Sequence, residues 1–154
     1  MDLLKLIALD EEDLKVISAH LQDAILKVQD MTFIPQENRF AAVLNRFDWR
    51  TANEKAAPGG EHFERRQCAV RFEKVQHAQF KGLSPANGAE VLELLSVSFD
   101  PGEAPSGHIT LTFAGGPAVR LQVDCIEAEL RDLGPSWKTA HKPEHPENNP
   151  TTTL

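Results

Sequence analysis

The segment from Gly107 to Gly134, GHITLTFAGGPAVRLQVDCIEAELRDLG, constrains the fold more than any other part of the chain. Ile109, Leu111 and Phe113 alternate with Thr110 and Thr112, and Val119, Leu121 and Val123 alternate with Arg120 and Gln122. That period of two is the mark of half-buried strands. Gly115 and Gly116 lie between the two runs and supply the positive φ angles of a hairpin turn. After the second strand the spacing changes. Asp124 stands three residues before Glu127, the capping-box separation. Ile126, Leu130 and Leu133 then predict the buried stripe of a helix, with Gly134 at its C′ position and Pro135 as its stop.

The remaining signals extend the same pattern. Leu3 to Leu9 reads as an edge strand, and Asp10 caps a helix whose first turn carries Glu11, Glu12 and Asp13. Leu14, Ile17, Ser18 and Leu21 share one helical face. Ala24 to Phe33 is extended, with a parity slip that predicts a bulge near Gln29 or Asp30. Residues 35–38 form a turn and Arg39 to Trp49 a strand; Thr51 to His62 is a linker containing Pro58, Gly59 and Gly60. Phe63 to Phe80 is extended and bent, because its apolar parity changes after Phe72. Val91 to Phe99 is another strand. Short links between successive strands favour antiparallel pairing. The expectation is one α+β domain over residues 1–134. It is mainly an antiparallel sheet, strongly bent or barrel-like, with an N-terminal helix and a C-terminal capping helix. This element order is analogous to the pleckstrin-homology (PH-like) superfold. Residues 135–154, with four prolines, are expected to form an irregular tail.

Composition narrows the function classes. The formal net charge of −7 disfavours broad, phosphate-driven nucleic-acid binding, although a local basic patch is compatible with it. No stretch approaches the roughly 20 apolar residues of a membrane span. Cys68 and Cys125 make no disulfide framework and read as buried thiols in a reducing, cytoplasmic setting. His141 and His145 have i, i+4 spacing, but Pro143 lies between them and no HExxH frame exists. There is no CxxC pair, no GxSxG elbow and no phosphate-cradling glycine loop. No metal, cofactor or catalytic residue is assigned, and the chain is read as non-enzymatic.

The richest polar cluster straddles one hairpin. One arm carries Arg46, Asp48 and Trp49; the other carries Glu64, Arg65 and Arg66. Pairing Trp49 with Glu64 sets Val43 against Val70, Ala41 against Phe72 and Asp48 against Arg65. Arg46, Asp48, Arg65 and Arg71 then share a solvated face. Arg46, Asp48, Trp49, Arg65 and Arg66 are the expected binding residues, with guanidinium groups for a carboxylate or phosphate and Trp49 as an aromatic anchor. The structural alternative is a cross-strand salt-bridge ladder.

The stretches ISAHLQDA (17–24), LNRFDW (44–49), ERRQ (64–67), LTFAGG (111–116) and VDCIEAELRDLG (123–134) resemble those of a bacterial family known as domain of unknown function 2948. The resemblance spans most of residues 3–145. It implies a small cytosolic bacterial protein of alphaproteobacterial type and transfers no activity, substrate or site residue. The favoured reading is therefore a non-catalytic binding module for a protein or a small anionic ligand. The alternatives are a small-molecule pocket or enzyme site in the bent sheet, and self-association through the Leu3–Leu9 edge.

Overall fold

In the computed structural model, which describes residues 3–48 and 63–139, one sheet curls around a single core, with a helix laid against it. Strand β1 is Lys5–Ala8. Helix α1, Glu11–Leu21, begins where the sequence predicts: the Asp10 carboxylate accepts the Asp13 N–H at 2.8 Å. Its buried stripe is Leu14, Ile17 and Leu21, and it packs mainly on the strand Val91–Pro101. Ser18, on the same face, accepts the Val97 N–H at 2.9 Å, close to the register shift between Leu94 and Ser96.

Strands β2 (Ala24–Lys27) and β3 (Met31–Ile34) are separated by a 3-10 turn at Val28–Asp30. That turn absorbs the predicted parity slip. Asn38 (φ +51°) leads into β4, Arg39–Phe47, and β5 is Phe63–Phe72. Glu73 and Lys74 (φ +60°) turn the chain into β6, Val75–Lys81, at the place where the apolar phase changes. β7 (Val91–Pro101), β8 (Gly107–Phe113) and β9 (Ala118–Val123) form the meander. Gly115 and Gly116 adopt φ of +87° and +113°, as their hairpin requires. At Gly107 a Cβ atom would stand 2.5 Å from the Asp100 carbonyl oxygen, so only glycine lets β7 and β8 approach there.

With β10 spanning Ala128–Thr139, the strand order is β1-β10-β5-β4-β2-β7-β8-β9-β6, with β3 paired to β4 beside this path; the described pairings are all antiparallel. β1 and β6 remain as ends, so the sheet is bent but not closed. Its inner face carries Phe40, Leu44, Phe72, Leu94, Leu111 and Phe113, all essentially inaccessible to water. This contiguous apolar set is the dominant stabilising term of the fold.

The C-terminal capping helix is not seen. Residues 128–139 form strand β10, paired with β5 and β1. Ile126, Ala128, Leu130 and Asp132 are buried at alternate positions, whereas Arg131 and Leu133 are exposed. The period of two is real, but one inward position is a charge, which hides it from an apolar count. Leu133, assigned to a buried helical stripe, lies 46 % exposed. Gly134 and Pro135 sit in a register shift between Asp132 and Ser136, where a proline without an N–H is tolerated. Strand β10 runs to Thr139. Without that closing helix, the likeness to the pleckstrin-homology superfold loses the element that suggested it. The 51–62 linker, Trp49 and the tail beyond Thr139 lie outside the described residues.

Candidate functional site

The expected arginine surface rests on the β4–β5 register, and that register is one residue away from the expected one. Phe40 pairs with Phe72, Ala42 with Val70, Leu44 with Cys68, Arg46 with Arg66 and Phe47 with Arg65. A slip of one exchanges faces along a strand. Arg46, Asp48 and Arg66 therefore point to the core side, whereas Arg65 and Arg71 stand on the other side. The run Phe40-Ala41-Ala42-Val43-Leu44 is apolar in both phases, and packing chose the phase that buries Phe40 and Leu44.

The four described members of the expected set are all buried. Arg46 grips Asp132 with two bonds, Nε to Oδ1 at 2.9 Å and Nη2 to Oδ2 at 3.0 Å. The same carboxylate accepts the Leu4 N–H at 2.8 Å, and the Asp132 N–H donates to the Leu4 carbonyl at 2.9 Å. Arg66 donates to Asp48 at 3.0 Å and to Glu64 at 3.2 Å. On the opposite face, Arg65 donates to the carbonyl oxygens of Asn45 (3.1 Å) and Asp23 (3.3 Å) and stacks over Phe47, 5.6 Å from the ring centroid. Arg65 also feels Glu93 and Asp23.

These environments act oppositely on two neighbouring guanidinium groups. Burial works against the Arg46 charge, but the paired hydrogen bonds to Asp132 and the nearby Asp48 outweigh it and hold its pKa above the ordinary value. For Arg65 burial dominates over Glu93 and Asp23, and its pKa is lowered. Among the described residues, Nε of Arg65 and Nη1 of Arg66 find no acceptor. The cluster is a polar knot that ties β1, β10, β4 and β5 together. Its carboxylates at Asp23, Asp48, Glu93 and Asp132 are each buried; Asp48 was expected beside the arginines, whereas Asp23, Glu93 and Asp132 were missed as partners because they lie farther away in the sequence.

The solvated face of the same hairpin carries a different group of cations. Arg39 on β4, Arg71 on β5 and Arg131 on β10 line a depression of about 270 Å³ with Ala41, Ala69 and Leu133. Glu129 lies at the centre and meets Arg71 at 2.9 Å, with Lys5 and Arg131 each at 3.6 Å. Glu73 meets Arg39 at 2.9 Å and Arg71 at 3.3 Å, and Arg39 also reaches Glu37 at 2.9 Å. Glu127, whose carbonyl accepts the Glu73 N–H, borders this network at its far end. The carboxylates are sunken and the guanidinium groups stand proud: side-chain exposure is 11 % for Glu129 and 16 % for Glu73, against 47 % for Arg71 and 54 % for Arg131. Of these residues the sequence reading put only Arg71 on a solvated face. Arg131 was hidden by its assignment to a helix.

Two other depressions lie elsewhere. One of about 360 Å³ is mostly apolar and is lined by Met31, Phe33, Phe80 and Leu83; another of about 320 Å³ is polar and is lined by Gln79, Lys81, Asp100 and Arg120. No group of three or more His, Cys, Asp or Glu side chains among the described residues could hold a metal ion. No described helix is long and apolar enough to cross a membrane. Cys68 is buried and Cys125 half-buried, and both are free thiols.

A family model described as "Protein of unknown function (DUF2948)" matches residues 4–145, nearly the whole chain. No curated protein and no solved structure matches.

Proposed function

The chain belongs to this family, whose description names no activity, and we propose that it is a non-catalytic binding module whose outer β1–β10–β5–β4 face takes an anionic partner. The observation that carries this reading is the layering of charge around the shallow depression. Glu129 and Glu73 lie low, and Arg71, Arg131 and Lys5 reach past them into water. A partner meets donors first. Such donors favour carboxylate or phosphate groups, to which arginine forms planar, paired hydrogen bonds.

The interaction surface accordingly lies on Arg39, Arg71 and Arg131. Arg46, Arg65 and Arg66 have internal acceptors, and their role in this reading is to hold the platform rigid. A ligand cavity inside the sheet is the less favoured reading, because its inner face is a continuous cluster of buried apolar side chains. The free thiols of Cys68 and Cys125 suit a reducing cytoplasm.

Fluorescence anisotropy with labelled poly-L-glutamate tests the proposal. Binding should be measurable at low salt, weaken as salt rises, and vanish in the Arg71→Glu, Arg131→Glu double variant with an unchanged circular dichroism spectrum. Equal binding by the double variant overturns it.

A further inference from the structure

We infer that the occupant of this face is a polypeptide segment in which carboxylate side chains alternate with apolar ones, rather than a small anion. The inference rests on the binding-module reading just given and adds the chemistry of its partner.

The cations do not converge as a small-anion cradle would. They are strung across the sheet. Lys5 pairs with Arg131 across β1 and β10, Arg71 sits on β5 and Arg39 on β4. At about 4.8 Å per strand this spans about 14 Å. Each guanidinium of the network already shares a protein carboxylate, so a single small anion gains little by displacing one. A chain that offers several carboxylates at intervals meets several half-satisfied donors at once.

Apolar groups are interleaved with those donors. Ile7, Glu129, Arg71 and Ala41 form one cross-strand row, and Lys5, Arg131, Ala69 and Val43 form the next. Ile7, Val43 and Leu133 are exposed, and the alanines leave the depression between the arginines open. Each row thus presents cation and hydrocarbon together. A phosphate ion has no use for the hydrocarbon, whereas a peptide with acidic and apolar side chains matches both. The net charge of −7 disfavours a long polyanion such as RNA, which would meet the whole molecule and not only this face.

Labelled peptides of equal length and charge, one alternating glutamate with leucine and one alternating glutamate with serine, separate the possibilities. The leucine peptide should bind roughly tenfold more tightly. The Val43→Ser, Leu133→Ser variant, altered only at exposed positions, should erase that difference, and Arg71→Glu with Arg131→Glu should abolish both interactions. Equal affinities that are both lost on charge reversal overturn this inference and leave the binding-module reading intact. Displacement by millimolar inorganic phosphate, or tighter binding of a labelled oligouridylate, also overturns the inference. Peptide binding that survives charge reversal overturns both.

Discussion

Two groups of arginines stand on neighbouring strands of one sheet and do opposite things. Arg46 and Arg66 face inward, each locked to a buried carboxylate. Arg71 and Arg131 face outward, share their partners with other cations and keep half their surface in water. Residue type does not distinguish them. Strand parity does, together with the distance of each partner along the chain. A charge in the core is tolerated where most of its bonding capacity is met, and the Asp132 carboxylate accepts three hydrogen bonds, two from Arg46 and one from the Leu4 N–H. A charge on the outer face needs no such support and is left available.

Substitutions at the knot should show the largest contrast. Arg46→Ala leaves Asp132 buried without its cation and should lower unfolding stability by about 3–5 kcal/mol in urea titration. Arg46→Met combined with Asp132→Leu removes both charges and should recover most of that loss. If the single and double variants are equally unstable, the knot is not a charge-compensated pair.

A second test lies one residue pair away. Burial pushes the Cys68 thiol up to about 12 from an ordinary 9.0, with Arg46 opposing the shift. In the unfolded chain the thiol ionises from about pH 9, while in the fold it stays neutral. Stability contributed by this group is therefore complete below about pH 9 and is lost progressively towards pH 12. The loss should be on the order of 1 kcal/mol at pH 10. The urea midpoint of the wild type should fall faster with pH above 9 than that of Cys68→Ala; parallel curves would refute the shift.

Asp10→Ala removes a helix cap that depends on neither arginine group, and should cost about 1 kcal/mol in the same titration. The outer face should respond least. Arg71→Ala is expected to change stability by under about 0.5 kcal/mol, because exposed ion pairs contribute little. A loss comparable to that of Arg46→Ala would erase the distinction between the two groups.

The helix over Glu11–Leu21 was legible because its cap, dipole charges and stripe are all local. The meander from Val91 to Val123 was legible because strict alternation and a Gly-Gly turn leave little choice. The parity changes at Val28–Asp30 and after Phe72 were visible for the same reason. β10 was misread because Ile126, Leu130 and Leu133 happen to fit a helical spacing, and because Asp132 occupies an inward strand position that only Arg46 makes habitable. The β4–β5 register differs from the expected one by a single residue for a related reason. Five consecutive apolar residues from Phe40 to Leu44 admit both registers, and neither turn chemistry nor charge favours one.

Short-range physics written into the chain sets the helix, its cap, the hairpin turn and the strands that alternate cleanly. Which arginines are buried and which face water was settled by strand pairing between distant segments. Arg46 and Asp132 are separated by 86 residues, and the free energy of a buried charge depends on who sits opposite it. No local pattern carries that information, since the compensating carboxylate arrives only when distant strands have paired.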